Sequence, residues 1–285
     1  MKWAGGKRQL LPDIRARLPR QMPGTYVEPF IGGGAVLIDR LSDESFNART
    51  IINDMNTDLV GCYKSIKSAP ERLIKKLSEL QSGYDKAAQT ETGKTAFYYD
   101  IREAFNRRDS DELTQAAFLI CLNRTGFNGL YRVNKSGGYN VPIGRYKNPK
   151  ICDADNIRNL SVVLQTTEIL NVDFEATLDG LNEQAFFYFD PPYKPLSSSS
   201  SFNAYAKSGF NDGAQTRLAE FCRKLDGLGH KWLLSNSDVK TGDNPSEFFD
   251  DLYKGFNIKR VLAGRAINSN KDKRGAVTEL LVSNY

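Results

Sequence analysis

An almost wholly apolar run, Ala185-Phe186-Phe187-Tyr188-Phe189, stops abruptly at Asp190-Pro191-Pro192-Tyr193. Five such residues make a strand apolar on both faces, the pattern of a parallel strand covered by helices on either side. Two successive prolines remove two backbone donors and end it. The chain is therefore expected to be α/β, with Asp190 at the carboxyl end of a sheet strand, where open α/β sheets bind their ligands. The stretches Thr25–Glu28, Thr50–Asp54, Glu168–Val172 and Trp232–Ser235 read as further strands. Two late ones, about 256–263 and 277–283, flank a polar loop and suit an antiparallel pair at a sheet edge. Between them and Asp190, Asp212 is placed to cap a helix over 213–227, with Leu218, Phe221, Cys222 and Leu225 inward.

The first segment repeats the logic. A strand runs into Phe30-Ile31-Gly32-Gly33-Gly34, Ala35 to Ile38 begins a helix, and a second strand ends at Asp54, 20 residues after Gly34. Strand, glycine turn, helix, strand and acid together open a nucleotide-binding βαβ unit, in which the acid accepts from ribose hydroxyls. The last glycine of G-x-G-x-x-G is missing and no Lys-Ser/Thr follows, so a nucleoside with a tail other than pyrophosphate fits. Trp3-Ala4-Gly5-Gly6-Lys7 adds a cation suited to a carboxylate and an aromatic suited to an apolar or cationic tail. Asp173-Phe174 follows another strand. At Asp190–Tyr193 a carboxylate, rigid carbonyls and a phenol ring form an acceptor cluster that suits a planar heterocycle carrying an amino group.

Residues from about 60 to 123 look helical, with Leu73, Leu77 and Leu80, then Leu113, Ala117, Ile120 and Cys121, at helical spacing. From Arg124 to Lys150 there are six Lys or Arg residues and no Asp or Glu, among turn signals at Asn128-Gly129 and Ser136-Gly137-Gly138. That stretch reads as loops around a β-hairpin, and its charge suits a polyanion, as does the net charge of +5. A chain of 285 residues has room for about two domains. We expect a split α/β domain, 1–60 and 156–285, with a mostly helical insertion over 61–155.

Other classes fall away. The four cysteines are at 62, 121, 152 and 222, without C-x-x-C, and suit buried, reduced thiols of a cytosolic protein. The one histidine, His230, sits in a Gly-His-Lys turn without an evident partner, so neither a histidine-rich metal site nor Ser-His catalysis is expected. The sequence offers no transmembrane run and no apolar leader, so a cytoplasmic location is expected.

Taken in order, K-W-A-G-G-K (2–7), E-P-F-I-G-G-G-A (28–35), I-N-D-M-N (52–56), N-R-T-G-F-N-G-L-Y-R-V-N (123–134), N-V-P-I-G-R-Y-K (140–147), V-D-F (172–174), F-D-P-P-Y-K-P-L-S (189–197) and L-S-N-S (234–237) resemble the Dam-type DNA adenine methyltransferases along essentially the whole chain. The resemblance implies a Rossmann-like methyltransferase fold with a mixed sheet, an antiparallel edge hairpin and an inserted DNA-recognition domain. It implies S-adenosylmethionine as methyl donor, no metal, and a cofactor pocket of Trp3, Lys7, Phe30, Gly32, Gly34, Asp54, Asp173, Phe174 and Asp190. Asp190, Pro191, Pro192 and Tyr193 become the catalytic tetrapeptide. The aspartate at 190 favours adenine over cytosine and argues against protein glutamine as the target. Duplex DNA, flipped at the target base, is the expected partner of a monomer. Arg132 is assigned a bidentate guanine contact, Leu130 and Tyr146 base-edge contacts, Phe127 or Asn128 the space left by the flipped base. Lys2, Arg124, Pro142, Arg145 and Lys147 complete the DNA-binding set, the arginines and Lys147 on phosphates. The likeness points to GATC, in a bacterial or phage-encoded, nucleoid-associated enzyme. Relatives reading GATATC share parts of the hairpin. A silent nucleic-acid-binding module and methylation of RNA are the other readings of such a chain. The motif here begins at residue 2, and Lys194 and the serines at 197–201 depart from the family's pattern.

Overall fold

The structure is a computed structural model; it describes residues 3, 6–7, 9–43, 46–194, 210–241, 245–264 and 276–285. The chain forms two compact units, one of Lys7–Ile31, Asp39–Asn53 and Asp173–Tyr285, the other of Met1–Gly6, Gly32–Ile38 and Asp54–Val172.

The first unit holds α1 (Leu11–Arg15), β1 (Thr25–Glu28) and β2 (Arg49–Asn53), and later β4 (Ala185–Phe189), β5 (Lys231–Ser237), β6 (Asn257–Gly264) and β7 (Ala276–Ser283). These six strands lie side by side in the order β2-β1-β4-β5-β7-β6. The first four are parallel, with Val27 level with Ile51 and Phe187, and Phe187 level with Trp232. β7 runs antiparallel to both β5 and β6, as the two late strands led us to expect. Every residue of β1 and β4 is buried, and cover on both faces is why β4 reads as a continuous apolar run. On one flank lies the helix α8 (Asp212–Gly227), which buries Leu218, Phe221, Cys222 and Leu225; a short α9 (Phe248–Leu252) follows β5. Asn211, rather than the expected Asp212, caps α8: its side chain accepts from the Ala214 N–H at 3.1 Å. His230 has a partner after all. Its Nδ1 accepts the Ala185 N–H at 3.1 Å, and the ring is 7% exposed.

The second unit is mostly helical: α3 (Thr57–Ser68), α4 (Pro70–Ala87), α5 (Glu91–Arg107), α6 (Glu112–Thr125) and α7 (Ala154–Leu164), with one strand, β3 (Thr167–Leu170). Each of α3, α5 and α6 starts on a side-chain cap, from Asn56, Thr90 and Asp111. Leu59, Cys62, Leu73, Leu77, Leu119 and Leu122 are fully buried between these helices. Of the four thiols, Cys152 alone is not buried. The helix α2 (Ala35–Leu41) follows the glycine turn. Among the described residues, no helix is long and apolar enough to cross a membrane.

Candidate active site and nucleic-acid interface

In the sheet unit, four parallel strands bring their carboxyl ends to one edge, and Asp190 leaves β4 there. Its carboxylate is 23% exposed. Oδ1 receives the Lys7 ammonium at 2.7 Å and the Ser235 hydroxyl at 3.2 Å. Among the described residues Oδ2 accepts no hydrogen bond, so one oxygen is anchored and the other is available to a ligand. Burial raises the Asp190 pKa above the usual carboxylate range, while Lys7 and Ser235 oppose that rise. Lys7 is 5% exposed, and a buried ammonium needs this partner. The same ammonium lies 4.3 Å from the centroid of the Tyr193 ring.

The turn itself is braced by buried amides. Asn236 donates to Gln215 at 3.1 Å, and Gln215 donates to the Pro192 carbonyl at 3.0 Å. Ser237 donates to the Lys194 carbonyl at 2.6 Å, and Tyr193 donates to Glu279 at 2.7 Å. None of Gln215, Ser235, Asn236 and Glu279 was assigned a role from the sequence. L-S-N-S was visible as a motif, but a lone glutamine or glutamate on a distant element carries no spacing signal. Glu28, at the end of β1, is 2% exposed and bonded by the Tyr26 hydroxyl; burial, with Asp190 adding repulsion, pushes its carboxyl up to about 8.

Phe30 is half-buried and forms an aromatic wall with Phe174 at 5.5 Å and Phe210 at 5.4 Å. Asp173 accepts the Glu175 N–H at 3.1 Å and pairs with Arg217, whose guanidinium also lies 4.4 Å from the Phe174 ring.

In the helical unit the glycine turn and Asp54 meet. The Gly32 N–H donates to Asp54 Oδ2 at 3.1 Å and the Asn56 N–H to Oδ1 at 2.9 Å, while burial raises that carboxyl's pKa. Gly32 and Gly34 have positive φ, 47° and 67°. A Cβ on Gly32 would also stand 3.1 Å from Trp3 Cδ1, so glycine is required twice over. Trp3 stacks on Tyr131, with ring centroids 5.6 Å apart.

Tyr131 belongs to the basic stretch. Its backbone doubles back, but two isolated bridges, Gly126 to Ile143 and Val133 to Tyr139, replace the expected ladder. The reversal is closed by Asn134, whose side chain accepts the Ser136 and Gly138 N–H groups at 3.0 and 2.9 Å. The returning arm is clamped to α5. Asn106 exchanges two hydrogen bonds with the Tyr139 backbone, at 3.0 and 2.8 Å, and Tyr98 donates to the Val141 carbonyl at 2.8 Å. Tyr131 donates to Asp58 at 2.7 Å, and Arg108 holds the same carboxylate. On this fixed backbone Phe127, 47% exposed, and Asn128, at φ 54°, stand at the tip of a tight turn. Arg132 is exposed; its Nε and Nη2 donate to the Asn140 side chain and carbonyl at 2.7 and 2.9 Å. Pro142, Arg145 and Lys147 are exposed, Leu130 and Tyr146 half-buried. Arg124 lies 3.6 Å from Asp153, so the acid just beyond the basic run neutralises part of it. Lys2 lies outside the described residues, as do Ala4, Gly5 and the serine tract 197–201.

Comparison with known proteins decides the class. The D12 class N6 adenine-specific DNA methyltransferase family matches residues 3–267. The chain belongs to this family. It is 48% identical over 292 residues to the Type II methyltransferase M.MjaIII of Methanocaldococcus jannaschii, spanning 100% of this chain and 98% of that protein. It is 34% identical to a DNA adenine methylase of Vibrio cholerae and 33% identical to that of Escherichia coli K12, spanning 99% of this chain and 94% and 93% of theirs. The protein is an adenine-specific DNA methyltransferase, and membership implies S-adenosylmethionine as methyl donor. Taken unit by unit, the residues suit parts of such a nucleoside: in the sheet unit Phe30 offers a half-exposed ring on an aromatic wall, and in the helical unit Gly32 offers side-chain-free backbone bonded to the Asp54 carboxylate.

Proposed function

We propose that this methyltransferase methylates the exocyclic 6-amino group of adenine within GATC in duplex DNA, after flipping the base out of the stack. The observation that carries the catalytic part is the asymmetric carboxylate of Asp190, with Oδ1 anchored by Lys7 and Ser235 and Oδ2, among the described residues, accepting no hydrogen bond. Oδ2 and the Pro191 carbonyl each accept one hydrogen of the target amine. Holding both draws the nitrogen toward tetrahedral geometry and aims its lone pair. Tyr193 stacks on the base. Lys7 keeps Asp190 ionised, so that it accepts rather than donates. The methyl donor, when bound, supplies an electrophilic sulfonium methyl. It is held by Trp3, Lys7, Phe30, Gly32, Gly34, Asp54, Asp173, Phe174 and Asp190. The chain's contribution is positioning, and Asp190 is no strong base, because the amine proton becomes acidic only as the new bond forms.

Residues 61–155 form the target-recognition domain in this reading. The Asn140 contacts occupy one edge of the Arg132 guanidinium and leave its Nη1–Nη2 end to face a guanine O6/N7 pair. Phe127 fills the gap left by the extruded adenine, with Asn128 beside it. Leu130 and Tyr146 touch base edges, Arg124, Arg145 and Lys147 touch phosphates, and Lys2 and Pro142 complete the DNA-binding set. The likeness of N-G-L-Y-R-V-N to the Dam-type hairpin supports GATC, and GATATC is the alternative site. The test is transfer of label from S-adenosylmethionine to duplexes that contain GATC, GATATC without GATC, or GATC with one base changed. Label in adenine of the GATC duplex alone is expected. Label confined to GATATC, or spread over the altered duplexes, would overturn the assignment.

A further inference from the structure

Glu279 lies on β7, the antiparallel strand inserted beside β5, level with Ser237 in the register of that pair. Nothing in its sequence surroundings marks it. Its Oε2 accepts the Tyr193 hydroxyl at 2.7 Å. The opposite constraint on the same ring is the Lys7 ammonium, 4.3 Å from its centroid and 2.7 Å from Asp190. The ring is thus held at two points, by its hydroxyl and through its face. The Tyr193 backbone is held separately, through Gln215 on the Pro192 carbonyl and Ser237 on the Lys194 carbonyl. Without Glu279 the turn keeps its path, but the ring is free to tilt about its side-chain torsions. A hydroxyl donating to a carboxylate also enriches the ring in electron density, which strengthens its attraction for a cation over its face.

We infer that Glu279 is a positioning residue for methyl transfer: through Tyr193 it fixes the plane on which the target base stacks. This rests on the reading that Tyr193 stacks that base. The amino nitrogen becomes cationic as it takes the methyl group, so an electron-rich ring in a fixed plane favours the transition state more than the bound ground state.

The experiment measures single-turnover methyl transfer, the dissociation constants for duplex and for S-adenosylmethionine, and the fluorescence of a duplex carrying 2-aminopurine at the target. Glu279→Ala is expected to slow transfer about tenfold with both affinities kept. It should also brighten the flipped 2-aminopurine, because stacking quenches it. Glu279→Gln, which keeps an acceptor oxygen, recovers most of the loss. Tyr193→Phe removes the same hydrogen bond from the other side, and adding Glu279→Ala to it costs nothing more. A parent transfer rate in Glu279→Ala, or losses that multiply in the double variant, overturns the proposal. Should Glu279→Ala fail to fold, Glu279→Gln and Tyr193→Phe decide: an unchanged rate and unchanged fluorescence in Tyr193→Phe overturn it equally. The underlying reading fails on its own evidence, namely a parent rate in Tyr193→Ala.

Discussion

The surroundings of Asp190 and the hairpin of residues 126–147 are built on opposite plans. Around Asp190 the side chains with chemistry are themselves buried and bonded to other side chains. Lys7 is 5% exposed, Gln215 and Asn236 not at all. In the hairpin the backbone is what is held, by Asn106, Tyr98 and Asn134, while Phe127 stands 47% exposed and Arg132, Arg145 and Lys147 point to solvent. The difference suits the two tasks. A carboxylate that must stay aimed needs fixed neighbours, and a buried cation offsets the desolvation that opposes its charge. Side chains that must meet a groove need reach, on a frame that fixes their register.

Four changes probe that contrast. Asp190→Ala should have the largest effect, lowering methyl transfer on the order of a thousandfold on every duplex while leaving DNA binding largely intact. Near-normal transfer would remove Asp190 from the chemistry. Lys7→Met should act through pH. Burial already raises the Asp190 pKa and Lys7 opposes that, so its loss raises the pKa further. Activity requires the ionised form and is lost as pH falls through the folded pKa, so the acidic limb of the rate profile should move to higher pH. The loss should be greatest on the acidic side and be largely recovered in alkaline buffer. A profile of unchanged shape would show that Lys7 does not set the charge of Asp190.

Lys147→Ala addresses the other region. If it touches phosphate, affinity should fall a few-fold and equally for all sequences, and the slope of log affinity against log salt should drop by about 0.9. A loss confined to one sequence would make Lys147 a base reader. The last prediction concerns stability rather than turnover. Glu28 titrates at about 8 in the folded protein against 4.5 ordinarily, so the folded state binds the extra proton between those values. Stability should decline as pH rises through that window and level off above it. Glu28→Gln should flatten that decline in thermal melts taken across the range. A parent-like slope would place Glu28 in contact with water.

The two regions also differ in how legibly the sequence announces them. Ala185–Phe189 and Asp190–Tyr193 declare a covered strand and its end, and Gly32 and Gly34 a turn that only glycine permits, since both effects are local. The antiparallel pair β6–β7 was equally plain from two strand-like stretches around a polar loop. What braces Asp190 was not. Ser235, Gln215 and Glu279 come from β5, α8 and β7, and their meeting depends on strand order and register, which no short window encodes. The cap of α8 slipped by one residue, because Asn211 and Asp212 are both good caps and only backbone geometry chooses between them. The hairpin was visible as turn residues among basic ones. Its anchors on α5, Asn106 and Tyr98, lie 33 and 43 residues away in sequence from the backbone they hold and give no such signal.

The most direct test of the division between chemistry and reading is the ratio of kcat/KM on a GATC duplex to that on single-base variants of it, measured for Arg132→Ala beside the parent enzyme. The account predicts that Arg132→Ala loses about 1–3 kcal/mol on GATC and much less on the duplex altered at one guanine, so that discrimination collapses at that position only. An equal loss on every duplex would contradict it, and would make Arg132 one more contact to the DNA backbone.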